Sequence, residues 1–279
     1  VWMVRTGRAP REHAATVPAI HRPLATADHV RRELGSDPVS VGDVLALGIT
    51  PGQLRAAVTS GALVRLRKGI VALPTADPPG SNTPDRDGWT CRRADHVREA
   101  RSALLALGDG SVVSHVSAAV LLELPLPHVG DWPTEVWVTA PRHGRVLAGT
   151  HRRLGEVPAP DLVQVEGVGC TGTARTALDL ARRRPLQHAL VTLDAAARRD
   201  GLDALWSAYD RLTWQRDRRA LRDALAVADG RSESPLESSS RGVMLRAGLP
   251  RPELQVWLTD RSGRSHRVDF LWPQPRVIG

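Results

Sequence analysis

The chain has 279 residues, enough for two or three domains, and its 42% hydrophobic content is enough for packed cores. Its formal net charge is +8 and all of its lysine-plus-arginine charge except Lys68 is arginine, which favours polyanionic partners, nucleic acid first, although GC-rich codon usage is another source of arginine. Two isolated cysteines, Cys91 and Cys170, exclude a disulfide framework and a cysteine zinc site, and no apolar run forms a signal-peptide core or reaches the ~20 residues of a membrane span, so a cytoplasmic location is expected.

Residues 1–24, with Pro10, Pro18 and Pro23 among scattered charges, read as a flexible leader or as the product of a start placed too early. Residues 25–74 then carry dense start and stop signals. Thr26 can cap a helix through Leu34, and Ser40 with Asp43 marks a second helix ending before Gly48. Thr50 as N-cap, Pro51 at the first helical position, Gln53 completing a capping box and Gly61 as terminator define a third. Two strand patterns, Leu63–Leu66 and Ile70–Leu73, are joined by Arg67-Lys68-Gly69, which is hairpin chemistry. A helix-turn-helix followed by a hairpin is a winged helix. No acid occurs between Asp43 and Asp77, so Arg55 on the third helix and Arg65, Arg67 and Lys68 on the wing share one sign of charge, as phosphate contacts require. Gln53 and Arg55 stand near the start of the helix that would read base edges. The alternative for the same element is protein docking or dimerisation.

The Gly48-Ile49-Thr50 turn and the run from Gly61 to Ile70 resemble the N-terminal domain of AbiEi-family antitoxins of type IV toxin–antitoxin systems. The resemblance implies a transcriptional autoregulator whose winged helix binds operator DNA, whose remaining part is needed for antitoxin action, and whose protein partner is a cognate toxin. Ile70 departs from the Val-Tyr that many relatives place after the glycine.

Residues 75–94 read as a linker, since Pro74, Pro78, Pro79, Gly80, Pro84 and Gly88 crowd this region. From 95 to 230 the pattern is mixed α/β without a clean βαβ repeat. Helices are expected over Asp95–Leu107, Ser114–Leu124, Thr173–Arg183, Leu186–Arg199 and Trp214–Ala228, and strands over Glu135–Thr139 and Leu162–Val165. Ser114–Ala119 and Thr171–Ala181 also resemble the middle of the antitoxin-like proteins; Arg175 and Asp179 sit four apart on one helix face. His115 stands between Ser114 and Ser117 without the Gly-x-Ser-x-Gly elbow of a hydrolase. Gly167-Val168-Gly169-Cys170-Thr171-Gly172 fits a dinucleotide fingerprint, but Asp194 lies inside a helical run instead of ending a strand, so a turn capped by Thr171 or Thr173 is the simpler reading.

In residues 231–279 a helix begins near Ser234-Pro235, carries Glu237 and stops at Gly248. Strands over Leu254–Leu258 and His266–Leu271 follow, joined by an Asp260–Gly263 loop. Ala247-Gly248-Leu249-Pro250 and the run from Arg267 to Pro273 resemble nucleases of the PD-(D/E)XK type related to very-short-patch-repair endonucleases. That resemblance implies that Asp269 binds a metal, that Glu237 assists or orients it, and that Gln255 and His266 line the same face. Its third acidic element would begin beyond Gly279, and Phe270 to Gly279 contain no carboxylate, histidine or lysine. Mg²⁺ is therefore implied only for a completed site, and Val277-Ile278 would leave an unprotected sheet edge.

The expected fold class is α+β, with a winged helix-turn-helix, a mixed α/β middle and a partial nuclease-like helix and hairpin. The expected function is a DNA-binding, antitoxin-like regulator, inactive as a nuclease. Its rivals are an Mg²⁺-dependent endonuclease lacking its last catalytic strands and a toxin-neutralising module that never touches DNA.

Overall fold

The computed structural model describes residues 21–75, 88–108, 110–127, 132–144 and 147–279, and the chain divides into two units, Val1–Asn82 and Thr83–Gly279. In the first unit α1 (His21–Leu34), β1 (Val39–Ser40), α2 (Val41–Ala46), α3 (Pro51–Thr59), β2 (Val64–Arg67) and β3 (Ile70–Ala72) follow in order. Local signals set most of these boundaries. Ser40 Oγ accepts the Asp43 N–H at 3.0 Å, and Thr50 Oγ1 accepts the Gln53 N–H at 3.3 Å. Each satisfies a donor that the first helical turn leaves without a partner. At α3 the box closes from the other side, with the Thr50 N–H donating to Gln53 Oε1 at 2.8 Å.

β3 lies between β1 and β2, antiparallel to both, and Val39 pairs with Val71. Val30, Val44, Leu54, Ala57, Leu63 and Val71 meet beneath the helices as the core of this unit. The element order is that of a winged helix-turn-helix, with β2–β3 as the wing. One boundary differs from expectation. The first helix already runs at His21, so residues 21–24 are not leader, and Thr26 lies inside the helix with its Oγ1 donating to the Arg22 carbonyl at 3.0 Å. A threonine hydroxyl that bonds back along a helix has no need to cap one. Residues 1–20 of the expected leader lie outside the described residues.

The second unit opens with α4 (Gly88–Leu107), so residues 88–94, expected in a linker, are helical; residues 76–87 lie outside the described ones. Then come β4 (Val112–Val113), α5 (His115–Leu121), β5 (Val136–Ala140), β6 (Thr150–Leu154), β7 (Leu162–Val165), β8 (Val168–Thr171), α6 (Thr173–Ala181), α7 (Leu186–Asp200), α8 (Leu202–Asp210) and α9 (Arg218–Ala226). The sheet runs β6-β5-β4-β8-β7; β5 with β6 and β4 with β8 are parallel, the other pairs antiparallel. Val97, Ala100 and Ala103 of α4 and Ala118 and Leu121 of α5 cover Val113, Val136, Val138 and Cys170 of the sheet. A separate helical core joins Leu178, Leu190, Leu193, Leu205 and Leu225.

The glycine-rich run is a hairpin, not a phosphate loop. Val165 pairs with Val168, and the two residues between them, Glu166 and Gly167, have φ of +49° and +74°. Positive φ at both central residues marks the tight turn whose twist suits paired strands. Neither threonine caps the next helix: Gly172 is its N-cap, without a side-chain bond, and the Thr171 hydroxyl lies 2.7 Å from that of Thr176.

The unit closes with α10 (Pro235–Arg246), β9 (Glu253–Thr259), β10 (Ser265–Trp272) and β11 (Val277–Ile278). These residues share one unit with the rest of 83–279, because α10 is laid against α7. A Cβ on Gly242 would sit 2.3 Å from Gln187 Cα, so only glycine permits this approach. Beside it Arg241, fully buried, bonds both Asp194 oxygens through Nη2 at 2.7 and 2.6 Å and the Val227 carbonyl through Nη1 at 2.5 Å. Asp194 Oδ1 also accepts the Asp229 N–H at 2.9 Å. β10 sits between β9 and β11, and Phe270 and Gly279 exchange two backbone bonds of 3.0 Å, which pairs one side of the Val277-Ile278 strand. Among the described residues no helix is long and apolar enough to cross a membrane.

Removing one partner of a fully buried ion pair strands the other charge, at a cost of about 3–5 kcal/mol. Asp194→Ala should destabilise the chain by that amount in urea denaturation, and Gly242→Ala by about 1–3 kcal/mol through overpacking. Asp194→Leu combined with Arg241→Met should lose much less than either single change.

Candidate functional site

In the first unit the candidate contacts lie on two neighbouring elements. Gln53 and Arg55 are exposed in the first half of α3; Arg65 and Lys68 are exposed and Arg67 half-buried in the wing. A register shift between Arg65 and Arg67 bends β2 just before the turn, and Gly69, with φ of +85°, completes the reversal. The Gly69 carbonyl accepts the Val41 N–H at 2.8 Å, which ties the wing turn to the start of α2. Arg55, Arg65 and Lys68 form no ion pair among the described residues, and no acid occurs from Val44 to Thr75. Their donors are therefore available to phosphate oxygens. Gln53 is different. Its Oε1 accepts from both Thr50 N–H and Thr50 Oγ1, at 2.8 and 2.9 Å, so only its amide NH₂ remains for a contact outside the helix.

In the second unit Glu237 occupies the third position of α10, where Ser234 Oγ accepts its N–H at 3.1 Å and its own Oε2 accepts the Glu233 N–H at 3.0 Å. Gln255 Nε2 donates to Glu237 Oε2 at 2.8 Å and to Asp269 Oδ1 at 3.2 Å. The side chains of Glu237, Gln255 and Asp269, from α10, β9 and β10, thus meet at one point. Gln255 reaches it with φ of +56° inside a strand, between the ladder pairs Leu254–Phe270 and Val256–Val268. A non-glycine residue in this region costs on the order of 1–3 kcal/mol, so the surrounding contacts must hold it there. Its Oε1 is buried and has no hydrogen-bond partner among the described residues. Burial works to raise the Glu237 pKa, but the bonds from Glu233, Ser234 and Gln255 and the charge of Arg198 outweigh it and hold the carboxyl below its ordinary value.

His266 does not join this cluster. Its Nε2 lies 3.1 Å from Asp260 Oδ2 in the hairpin turn, where Asp260 also accepts Ser262 N–H, Ser262 Oγ and Arg264 N–H. The Ser262 hydroxyl first, then His266, pull the Asp260 pKa down to about 2. Among the described residues no three His, Cys, Asp or Glu side chains are grouped to hold a metal. Two carboxylates bridged by a carboxamide fall short of the ligand set Mg²⁺ takes for phosphodiester hydrolysis, so these residues alone do not fit that ion.

The serine–histidine pair also has a plain account. Ser114 is buried; its Oγ accepts the Thr139 hydroxyl at 2.8 Å and lies 3.0 Å from His115 Nδ1, so it is held inside a network and not presented as a nucleophile. Asp179, the nearby acid, is bonded to Arg175 at 3.1 Å.

Residues 30–74 match the family described as "Transcriptional regulator, AbiEi antitoxin". The match spans α2, α3, the wing and all five candidate contacts of the first unit, and it does not extend to residues 231–279. Two curated relatives, uncharacterized proteins of Mycobacterium tuberculosis strains CDC 1551 / Oshkosh and ATCC 25618 / H37Rv, are each 40% identical over 129 residues. That stretch is 46% of this chain and 46% of each relative, so the chain matches under half of their length.

Glu237 has a lowered folded pKa, so its contribution to stability is complete above its ordinary value of 4.5 and is lost as pH falls through the lowered one. Gln255→Ala removes one of the bonds responsible. In carboxyl NMR titration the Glu237 pKa of that variant should move upward, and acid loss should set in at a higher pH.

Proposed function

We propose that this chain is a DNA-binding regulator of the antitoxin type, with its first unit as the DNA contact and a cognate toxin as its protein partner. The observation that carries the reading is the exposed, acid-free cationic face formed by α3 and the wing within the segment that matches the antitoxin family. In this reading Arg65, Arg67 and Lys68 hold backbone phosphates and set the register, while Arg55 and the Gln53 NH₂ meet base edges. Arginine–phosphate contacts release counterions, so binding should weaken steeply with salt, by about 0.9 in the log–log slope for each phosphate neutralised.

Arg67→Ala with Lys68→Ala should therefore weaken binding to every duplex tested and reduce the salt slope by about 2, measured by fluorescence anisotropy across a salt series. Affinity and slope equal to those of the parent chain would remove the wing from the interface. No binding to duplex even at low salt would favour the toxin-neutralising module.

A second reading concerns residues 231–279, and the convergence of Glu237, Gln255 and Asp269 favours it. In this reading they belong to an endonuclease-like segment that gathers too few metal ligands among the described residues, and does not cut. Supercoiled plasmid incubated with the chain and Mg²⁺ should stay unnicked. Nicking that disappears in Asp269→Ala would instead support the Mg²⁺-dependent endonuclease.

A further inference from the structure

A cleft in the second unit, used by neither reading above, lies between the β5–β6 strands and the C-terminal end of α6. Two adjoining hollows of about 350 Å³ each share His115, Arg153, Asp179 and Arg182 in their walls. That volume is in the range of small-ligand sites. Across both hollows five arginines, at 153, 175, 182, 183 and 184, face the two acids Asp179 and Glu156.

Not all of that charge is spent. Arg175 belongs to Asp179 at 3.1 Å and Asp161 at 3.7 Å. Arg182 and Arg183 share Asp217 only loosely, at 3.5 and 3.4 Å, and the buried Arg182 Nε has no hydrogen-bond partner among the described residues. Arg153 is exposed and pairs with no acid among the described residues. Aromatic faces position these two guanidiniums instead: Arg182 lies 4.1 Å from the Trp214 ring centroid and Arg153 5.3 Å from that of Trp137. A stacked guanidinium keeps its donors pointing outward from the ring edge, which is how arginine is held ready for an oxyanion.

His115 adds a third, different donor. Its φ is +53°, a costly conformation for a non-glycine residue, and it sits where both hollows meet. Ser114 Oγ accepts the Thr139 hydroxyl, so its own hydrogen is free to bond His115 Nδ1. Burial, the largest influence, lowers the His115 pKa against the opposing pull of Asp179, and a neutral ring bonded in this way carries its proton on Nε2. Nε2 has no partner among the described residues.

We propose that this cleft binds the phosphoryl group of a phosphorylated ligand of mononucleotide size, through Arg153, Arg182 and His115 Nε2. Two guanidiniums and one N–H on residues of the shared wall suit a tetrahedral dianion better than a planar carboxylate, which a single arginine satisfies. One hollow continues from the shared wall past Val116, Leu180, Pro133 and Trp132, which gives a flat heterocycle an apolar bed. The site is independent of the DNA contact assigned to the first unit.

The test titrates the full chain with AMP and with inorganic phosphate by calorimetry. AMP should bind, phosphate should compete with it, and Arg153→Gln and Arg182→Gln should each weaken AMP by about tenfold or more. Arg67→Ala with Lys68→Ala should leave AMP affinity unchanged. Arg153 is exposed, so its substitution should not shift Tm, and it is the deciding variant. A 5′-phosphorylated oligonucleotide offered to the Arg67→Ala/Lys68→Ala protein separates the two sources of phosphate: displacement of AMP points to a polynucleotide end, and no displacement to a free nucleotide. Absence of AMP binding at millimolar concentration, or binding untouched by Arg153→Gln, overturns the proposal.

Discussion

The guanidinium of Arg241 inside the second unit is the constraint on which the C-terminal third of the molecule rests. Neither it nor Asp194 has any solvent-exposed side-chain surface, and the pair draws together α7, α10 and the Val227–Asp229 connection. A buried ion pair of this kind adds little net stability, but it punishes any arrangement in which the partners miss each other. Gly242 makes the same demand sterically, since no other residue lets α10 approach the backbone at Gln187. Charge and shape therefore specify one register for α10 on α7. Glu237 lies one helical turn before Arg241, so the register that satisfies the pair also fixes where Glu237 stands for Gln255.

The first unit is held differently. It has a small aliphatic core and little room for buried charge, and its boundaries come from short-range bonds: Ser40 with Asp43, Thr50 with Gln53, and glycines at the helix exits. This explains why Arg55, Arg65 and Lys68 can stand outside. With helix ends satisfied locally, neither Arg55 of α3 nor Arg65 of β2 is needed as a cap or a core ion pair, and the face stays cationic.

That contrast decides what could be read in advance. The α+β class, the helix-turn-helix with its wing, α6, α7 and the terminal helix and hairpin were legible because capping boxes, Gly stops and alternating patterns act over a few residues. β4, β6, β8 and α8 were not. β4 has two residues, β6 carries three charged or titratable side chains in five, and β8 holds a glycine; each is a strand because of its neighbours in the sheet and not because of its own pattern. Of the candidate site, Glu237, Asp269 and Gln255 were named through the resemblance to nucleases and not from spacing, and their meeting is visible only in the fold. His266 was misplaced because it stands three residues before Asp269 on one strand, so alternation puts the two on opposite faces, and a left-handed Gln255 has no sequence signature. The importance of Asp194 was equally invisible: a lone acid in a helical run looks solvated until its arginine, forty-seven residues away, is seen beside it.

Lys68 is the only lysine in the chain, and it is exposed on the wing turn. An ammonium group differs chemically from a guanidinium in that mild acylating reagents and acetyl-transferring enzymes act on it readily. Among side chains, amine-directed chemistry on this chain therefore converges on a single atom, Lys68 Nζ, at the tip of the wing. A fluorophore attached there would report on whatever the wing approaches, and a simple acetyl group would erase one charge from that face while leaving every arginine untouched.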